Sequence, residues 1–211
     1  MTSLFDAEAP PKRDELLFDW ERSLRLHIDS LTNMLTHLES MEVHEALNAM
    51  RECKGLFIFT GVGQNYILAC KIASTFNSLY LRSVSVDPIA SLHGTLGLIQ
   101  NRDLLVPISR SGETEELIRF IKYCRQIGFK NVLGIHSEPM SSLAKLSRLS
   151  VYVPITNEAD QLNIVPTASS VCFLAFLHSL GVQLSSERKL TVTEFLRNHP
   201  GGTLAKNTGD K

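Results

Sequence analysis

The segment Leu56-Phe-Ile-Phe-Thr60, followed directly by the turn Gly61-Val-Gly63, indicates the fold class of this protein. A short continuous apolar run of this kind is typical of a strand that is buried on both faces. The glycines end the strand, and residues 67–79 then carry apolar side chains at helical spacing. A buried strand that passes through a glycine turn into a helix predicts the first half of a β-α-β unit.

The same alternation continues along the chain. Further strands are predicted at residues 83–86, 103–109, 132–136 and 151–153, and further helices at residues 113–127, 141–146 and 167–180. Strands that alternate with helices are joined by right-handed crossovers, so the sequence predicts an α/β protein with a parallel sheet covered by helices on both faces. Because ligands of this class bind beyond the carboxyl ends of the strands, the loops that follow the strands are the place to look for a site.

A helical arm is predicted ahead of the sheet, at residues 14–54. Within it an apolar stripe repeats every seven residues and is filled at intermediate positions, comprising Leu17, Trp20, Leu24, Ile28, Leu31, Leu35 and Leu38. Such a stripe serves either to join subunits or to pack the helix on its own domain, and the sequence leaves both interpretations open. The ends of the chain, residues 1–13 and 205–211, are predicted to be flexible.

The composition excludes several classes of protein. The 211 residues include 21 Lys and Arg against 22 Asp and Glu, a formal net charge of −1. No general basic surface is therefore available to attract nucleic acid or an anionic membrane. The N-terminal residues lack the apolar region of a secretory signal, and no apolar run approaches the roughly 20 residues of a membrane span. We expect a cytoplasmic protein that binds neither nucleic acid nor a membrane.

Cysteine and histidine residues show no metal-binding pattern. The four cysteines, Cys53, Cys70, Cys124 and Cys172, include no C-x-x-C pair, and the seven histidines include no H-x-x-x-H pair. Reduced thiols are a better interpretation of such spacing than disulfides or a zinc site. The sequence predicts no metal and no cofactor.

The loop after the first strand contains Gly61, Gly63, Gln64 and Asn65. It does not match a dinucleotide-binding fingerprint, because Tyr66 occupies the position of the third glycine. It is not a P-loop either, because no Gly-Lys-Ser/Thr follows. Two interpretations remain: a turn whose N–H groups and polar side chains face a ligand, or a plain glycine turn.

The loop after the third strand predicts an anion site more sharply. Ser109, Arg110, Ser111 and Thr114 lie at the first turn of a helix, where unpaired N–H groups and the helix dipole attract phosphate. Arg110 adds a positive charge that can make a charge-assisted contact. The alternative is simple helix capping, which Ser111 together with Glu113 and Thr114 would also achieve.

A second group of hydroxyls opens the helix after the fifth strand, at Thr167, Ser169 and Ser170. Two hydroxyl-rich helix starts beyond parallel strands favour a small phosphorylated ligand as the partner of this protein.

Five motifs occur in a distinctive order: G-x-G at 61–63, H-G-x-L-G at 93–97, S-x-S-G-E-T at 109–114, Glu158 ahead of P-T-x-S-S, and H-P-G-G at 199–202. In this order the chain resembles the sugar isomerase (SIS) domain family and, within it, the D-arabinose 5-phosphate isomerases, over about residues 55–204. The resemblance implies a three-layer αβα sandwich around a five-stranded flavodoxin-like sheet, a homotetramer, and interconversion of ribulose 5-phosphate and arabinose 5-phosphate. It also implies a short form without the CBS domains that many such isomerases carry.

The resemblance further implies roles for individual residues. Three residues match the family's phosphate loop: Ser109, Ser111 and Thr114. Glu158 becomes the base that moves a proton between C1 and C2, and Glu113 orients the loop or a sugar hydroxyl. His199 lies in a tail, whose turn at residues 200–202 directs it into a neighbouring subunit's site for ring opening or carbonyl polarisation. His93 matches the second loop, where a capping or packing role is the alternative to ligand binding.

The chain also departs from the family pattern near the expected site. Where the family reads G-x-G-K-S-G, this chain has Gln64, Asn65 and Tyr66, and Ala90 and Thr95 replace a glutamate and an aspartate of the second loop. The missing lysine removes a cation that would stabilise an oxyanion, and glutamine is only a neutral donor. Two other functions therefore stay open: a non-catalytic sugar-phosphate sensor or regulator, and an isomerase for another phosphosugar.

Overall fold

The computed structural model describes residues 13–199, with side chains described from residue 19 onwards. The predictions made for residues 1–12, for the turn at 200–202 and for residues 205–211 lie outside the described residues. Two helices precede the sheet: α1 (Arg13–His37) and α2 (Ser40–Glu52). They correspond to the predicted helical arm.

The remaining strands and helices alternate along the chain, and two of the helices, at 88–91 and 192–197, are not predicted from the sequence. In chain order they are β1 (Phe57–Thr60), α3 (Gln64–Ser78), β2 (Ser83–Val86), α4 (Pro88–Ser91), β3 (Leu104–Ser109), α5 (Glu115–Gln126), β4 (Leu133–His136), α6 (Ser142–Leu146), β5 (Leu149–Tyr152), α7 (Ala168–Glu187) and α8 (Val192–Arg197). A 3-10 turn at Thr95–Leu98 lies between α4 and β3.

All five strands are parallel and form one sheet in the order β2-β1-β3-β4-β5. This doubly wound order reverses its direction between β1 and β3, and in such sheets the ligand crevice opens at that point. The predicted α/β fold class and the five-stranded parallel sheet are confirmed.

Side chains from the two faces of the sheet enter separate cores. Phe57 and Phe59 of β1 pack against Phe76 of α3 with ring centroids 5.6 and 4.8 Å apart, in a core completed by α2 and α7. Ile58, which points to the opposite face, joins the core formed by α5. Because successive strand side chains alternate between faces, a strand buried on both sides must be apolar throughout, as the 56–60 run is.

Pro107 interrupts the pairing of β3 with β4. Leu105 bridges Val132, and Ile108 and Ser109 pair with Ile135 and His136, whereas Val106 and Pro107 have no partner on that side. Proline has no N–H to donate, which accounts for the interruption in the middle of a sheet. Pairing resumes for the last two residues of β3, so the loop that begins at Ser109 is still fixed by the sheet.

The helix α7 extends further than the sequence predicts, to Glu187 rather than 180. Gly181 suggests a stop, but a Cβ at this position would meet the Phe76 ring at 2.8 Å, so the glycine allows α3 and α7 to pack closely. Among the described residues, α7 alone is long and apolar enough to cross a membrane. Its apolar side chains, including Phe173 and Leu177, belong to the core instead.

One part of the apolar stripe of α1 packs on its own domain, and another part is exposed and could join subunits, so both interpretations of the stripe apply. Leu31 and Leu38 pack against the core beneath α1 and α2. The other members with described side chains remain exposed, namely Trp20, Leu24, Ile28 and Leu35. The arm therefore packs on its own domain along one part of the stripe and presents an apolar surface along another.

No helix is predicted from the sequence at 192–197, where the structure has α8. Thr191 and Glu194 form a capping box, in which the Thr191 hydroxyl accepts the Glu194 N–H and the Glu194 carboxylate accepts the Thr191 N–H and hydroxyl proton. Threonine followed three residues later by glutamate is a recognisable helix start. The signal was thus present in the sequence.

Candidate active site

A cavity of about 350 Å³ lies at the carboxyl ends of the strands. Five residues predicted to belong to the site line it: Asn65, Ser109, Arg110, Ser111 and Thr114. Three further lining residues, Ser137, Glu138 and Ile155, follow β4 and β5. The predicted loops after the first and third strands therefore meet at one site, as parallel strands require.

The loop between β3 and α5 is shaped for an anion. Ser109 Oγ lies 3.0 Å from Thr114 Oγ1 and accepts the Gly112 N–H at 3.0 Å. Gly112 has φ = +63°, and a Cβ there would collide with the Ser141 side chain, so the position requires glycine. No side chain of the described residues caps α5, so its first N–H groups and the positive end of its dipole are available to a ligand.

The alternative interpretation, in which the hydroxyls of this loop only cap the helix, applies to Ser111 but not to Thr114. Ser111 Oγ accepts the Glu113 N–H at 3.2 Å, but Thr114, the residue that precedes α5, makes no capping bond with its side chain. The hydroxyls therefore order the loop without closing the helix end.

The loop between β1 and α3 places Asn65 at the cavity and leaves Gln64 outside its lining. Gly63 has φ = +59°, and a Cβ on Gly61 would clash with the Asn65 side chain and backbone. Both glycines are thus required by the turn. Gln64 is an exposed first residue of α3, so it is Asn65 that faces the cavity from this loop.

Glu158 does not line the cavity itself but lies behind the lining residue Arg110, with its carboxylate fully shielded from solvent. Its Oε2 accepts the N–H groups of Thr167 and Ser169 at 2.9 and 3.0 Å and lies 3.3 Å from the Thr167 hydroxyl. Its Oε1 lies 3.4 Å from Arg110 Nε and has no hydrogen-bond partner among the described residues. The carboxylate thus lies between the N-terminus of α7 and Arg110, which lines the cavity.

The hydroxyl-rich start of α7 has a different role from the one predicted. Thr167 and Ser169 hold Glu158, and Ser170 Oγ donates to the Pro166 carbonyl at 3.0 Å. None of the three lines the cavity. The anion bound at this helix start is the protein's own carboxylate, because it already occupies the N–H groups that a phosphate would need.

Glu113 is turned away from the cavity. Its Oε1 accepts the Ser142 N–H at 2.7 Å, and this hydrogen bond lowers the pKa of the carboxyl. The contact ties the β3–α5 loop to the start of α6. The role of Glu113 in orienting the loop stays a prediction.

His93 and His199 lie outside the cavity. The His93 side chain is exposed in the turn after α4. His199 stacks on Phe195, with its Nε2 3.2 Å from Ser78 Oγ at the end of α3. Since Asn65 lies at the other end of this 15-residue helix, the two ends are about 20 Å apart. His199 therefore does not contribute to the cavity of its own chain.

A larger cavity of about 610 Å³ lies beside His199, between α3 and the edge strand β2. It is lined by Cys70, Asn77, Ser78 and Ser85, among others. We assign the site to the smaller cavity, because that cavity combines an uncapped helix N-terminus, an arginine and the carboxyl ends of four strands.

His136 and Ser137 are residues of the site region that the sequence analysis missed. His136 ends β4 next to Ser109 in the sheet register, and both its ring nitrogens are buried without a partner among the described residues. The hydroxyl of Ser137 is likewise buried and unpartnered. The available signal was their position directly after a predicted strand, where loop residues face the ligand crevice.

Buried side-chain atoms without a hydrogen-bond partner concentrate at this edge of the sheet. Among the described residues there are seven such atoms, of which Thr60, Ser137 and Glu158 contribute one each and His136 contributes two. These four residues end or follow strands. Since unpaired buried polar groups are rare, their concentration at one edge indicates a site adapted to a ligand rather than to the fold alone.

The stability of the protein should fall in mild acid because of His136. Burial lowers the pKa of this imidazole, so between its folded pKa and about 6.5 the unfolded chain binds the proton more tightly. Stability is therefore fully present above pH 6.5 and is lost below it, by up to about 1.4 kcal/mol per pH unit within that window. Urea unfolding at pH 7.5, 6.5 and 5.5 measures the loss.

His136→Leu should remove part of this pH dependence, because leucine does not titrate. The matched control is His44→Asn, since His44 is an exposed histidine on α2. Burial also lowers the pKa of His178, so this residue contributes to the pH dependence of stability in every variant. If the free energy of unfolding of His136→Leu depended on pH as steeply as that of the wild type, His136 would not be the source of the acid sensitivity.

Comparison with known proteins gives a consistent result. The family model of the SIS domain matches residues 49–183. Arabinose 5-phosphate isomerase KpsF from Escherichia coli O6:H1 strain CFT073 is 32% identical over 177 residues, which are 84% of this chain and 54% of that protein. The chain thus spans about half the length of the curated relatives it matches.

Solved structures agree with this result. A structure from E. coli CFT073 in complex with arabinose 5-phosphate superposes with a TM-score of 0.86 at 28% identity, covering 90% of this chain and 100% of that one. The sugar isomerase domain of the RpiR transcription factor from Sphaerobacter thermophilus shares the fold alone, with a TM-score of 0.71 at 15% identity over 85% of this chain and 97% of that one. Both enzymes and regulators thus occur among chains of this fold.

Proposed function

This chain belongs to the SIS domain family, and on that premise we propose that it is a sugar-phosphate isomerase that interconverts D-ribulose 5-phosphate and D-arabinose 5-phosphate. The observation that carries the proposal is the cavity in which Ser109, Ser111, Thr114 and Arg110 surround the uncapped N-terminus of α5. Hydroxyls, N–H groups and one guanidinium together suit a phosphate dianion. The arabinose 5-phosphate complex of the similar E. coli structure supports a phosphosugar as the ligand.

The proposed reaction passes through an enediol and conserves all atoms. A base removes the proton from C2 of the aldose and the proton returns to C1, while a second proton moves from O2 to O1 to give the ketose. Glu158 is the proposed base, because its Oε1 is an acceptor without a hydrogen bond among the described residues. Donors at the carbonyl oxygen must stabilise the charge that develops there.

Arg110 is the proposed replacement for the missing family lysine. It is the only cationic side chain that lines the cavity among the described residues, and the contact between its Nε and Glu158 Oε1 fixes one side of the guanidinium. The remaining N–H donors of the guanidinium are then free to face a ligand. The site therefore keeps one positive charge, although from a different loop.

We further propose a cytoplasmic homotetramer in which His199 serves a neighbouring subunit. Two observations support assembly: His199 is about 20 Å from its own cavity, and α1 exposes Trp20, Leu24 and Ile28 along one stripe. Sedimentation equilibrium measures the subunit number, and a monomer at micromolar concentration would contradict the proposal.

The alternative function is a sugar-phosphate sensor or regulator without turnover. It is favoured by Gln64, Ala90 and Thr95, which replace charged family residues. A regulator needs the phosphate loop but has no use for a proton-transfer base. An isomerase for a different phosphosugar is compatible with the same substitutions.

Deuterium exchange separates these functions. The purified protein is incubated with ribulose 5-phosphate in D₂O, and deuterium incorporation and arabinose 5-phosphate are followed by NMR. We expect exchange at C1 and formation of the aldose. Binding of ribulose 5-phosphate without any exchange at high protein concentration would refute the isomerase and support the regulator.

A further inference from the structure

The hydroxyl of Ser137 is a buried donor that the fold does not use. Ser137 is 7% exposed, its Oγ has no hydrogen-bond partner among the described residues, and the residue lines the cavity. A buried hydroxyl without a partner destabilises the folded state, because it has lost its bonds to water. Its neighbour His136 does not satisfy it, since both nitrogens of that ring are unpartnered as well.

The backbone holds this hydroxyl in a fixed position. The Ser137 N–H donates to the Arg110 carbonyl at 3.0 Å, and the Leu143 N–H, in the first turn of α6, donates to the Gly112 carbonyl at 3.0 Å. These bonds join the β4–α6 loop and the start of α6 to the phosphate loop. Ser137 therefore belongs to a rigid wall of the cavity, as a residue that recognises a ligand should.

The cavity has two chemically different sides. The side formed by the β3–α5 loop offers hydroxyls, an uncapped helix N-terminus and Arg110, which suit an anion. The side formed after β4 and β5 offers Ser137, the carboxylate of Glu138 and the apolar Ile155. A phosphate dianion would be repelled by Glu138, whereas the hydroxylated carbon chain of a sugar suits a hydroxyl, a carboxylate and an apolar contact.

We propose that Ser137 binds an oxygen of the sugar chain and is a specificity-determining residue of this site. Neighbouring strands are about 4.8 Å apart, so a hydroxyl that follows β4 lies one strand away from the phosphate loop that follows β3. A phosphosugar with its phosphate on that loop then extends its carbon chain towards Ser137. The inference rests on the proposed function, because it requires a phosphosugar as the ligand.

The test compares inorganic phosphate with phosphosugars. Calorimetry measures the binding of inorganic phosphate, arabinose 5-phosphate, ribulose 5-phosphate and glucosamine 6-phosphate to the full chain and to Ser137→Ala. The variant should bind the tightest phosphosugar of this panel about three- to tenfold more weakly, which is the contribution of one hydrogen bond between neutral groups. Its affinity for inorganic phosphate should change by less than about twofold, since the phosphate loop is intact.

Urea unfolding distinguishes a ligand-binding role of Ser137 from a structural role, because loss of a structural contact would lower the unfolding midpoint. Ser137→Ala removes an unpartnered buried hydroxyl, so its unfolding midpoint should stay unchanged or rise while phosphosugar affinity falls. The matched control is Ser179→Ala, because Ser179 is exposed on α7 and donates to the Ala175 carbonyl of its own helix. The control should leave both affinities unchanged.

Three outcomes would overturn the inference. They are a phosphosugar affinity equal to that of the wild type, a parallel loss of affinity for inorganic phosphate, and a wild-type protein that binds no phosphosugar more tightly than inorganic phosphate. Absence of turnover with this binding pattern intact would instead refute only the proposed isomerase. The two failures are therefore distinguishable.

Discussion

Replacement of Glu158 by glutamine is expected to slow deuterium exchange by at least about 100-fold, the usual contribution of a positioned base. Glutamine keeps an oxygen that accepts the Thr167 and Ser169 N–H groups, so the start of α7 stays bonded. Its amide has no free basic site at the position of Oε1, which faces Arg110 in the native protein. The exchange assay with ribulose 5-phosphate in D₂O measures the loss.

Glu158→Ala separates the chemistry from the structural role. Alanine leaves the Thr167 and Ser169 N–H groups without their partner, so the free energy of unfolding should fall by about 2 kcal/mol relative to the glutamine variant. Urea unfolding of both variants gives this difference. Full exchange in Glu158→Gln would assign the proton transfer to another group and leave Glu158 as the residue that caps α7 and anchors Arg110.

Replacement of Gly112 by alanine is expected to lower the free energy of unfolding by about 2–5 kcal/mol. The residue has φ = +63°, which costs an alanine about 1–2 kcal/mol. The new Cβ would also collide with the side chain of Ser141, and overpacking at a buried site costs a further 1–3 kcal/mol, roughly. Because the loop must shift to relieve this contact, binding of inorganic phosphate should be lost as well.

Gly128→Ala is the matched control for backbone strain. Gly128 follows α5 with φ = +90°, and a Cβ there would meet no atom within 4 Å. Gly128→Ala should therefore lower the free energy of unfolding only through the backbone strain of a positive φ, by about 1 kcal/mol. Phosphate binding should not change. Equal urea midpoints for the two variants would show that Ser141 yields to the new methyl group, contrary to the expectation.

The charge arrangement of the cavity gives these variants a common basis. The N-terminus of α7 carries partial positive charge, Glu158 is held against it, and Arg110 is held against Glu158. The start of α7 therefore positions Glu158, and Glu158 positions Arg110. The proposed phosphosugar would therefore meet a guanidinium whose orientation depends on a carboxylate, and that carboxylate is held by the start of α7.

The order of the elements follows from the sequence alone, which also predicts where an anion would bind. A strand buried on both faces has to be apolar throughout, as residues 56–60 are, and helices between such strands impose a parallel sheet. Hydroxyls and a glycine at 109–114, directly after a strand, are local features. They predict a phosphate-binding loop, and four side chains of this loop line one cavity.

Which side chains come into contact depends on the tertiary structure. Thr167 and Ser169 match a phosphate-binding pattern, yet their N–H groups hold Glu158 because the chain returns there after β5. His199 begins the H-P-G-G motif that resembles the family pattern, but within its own subunit it lies beside Ser78. Ser137 has no motif at all. Periodicity and capping depend on neighbours along the chain, whereas the partners of a polar side chain depend on segments far apart in sequence, so local patterns located the site without assigning its contacts.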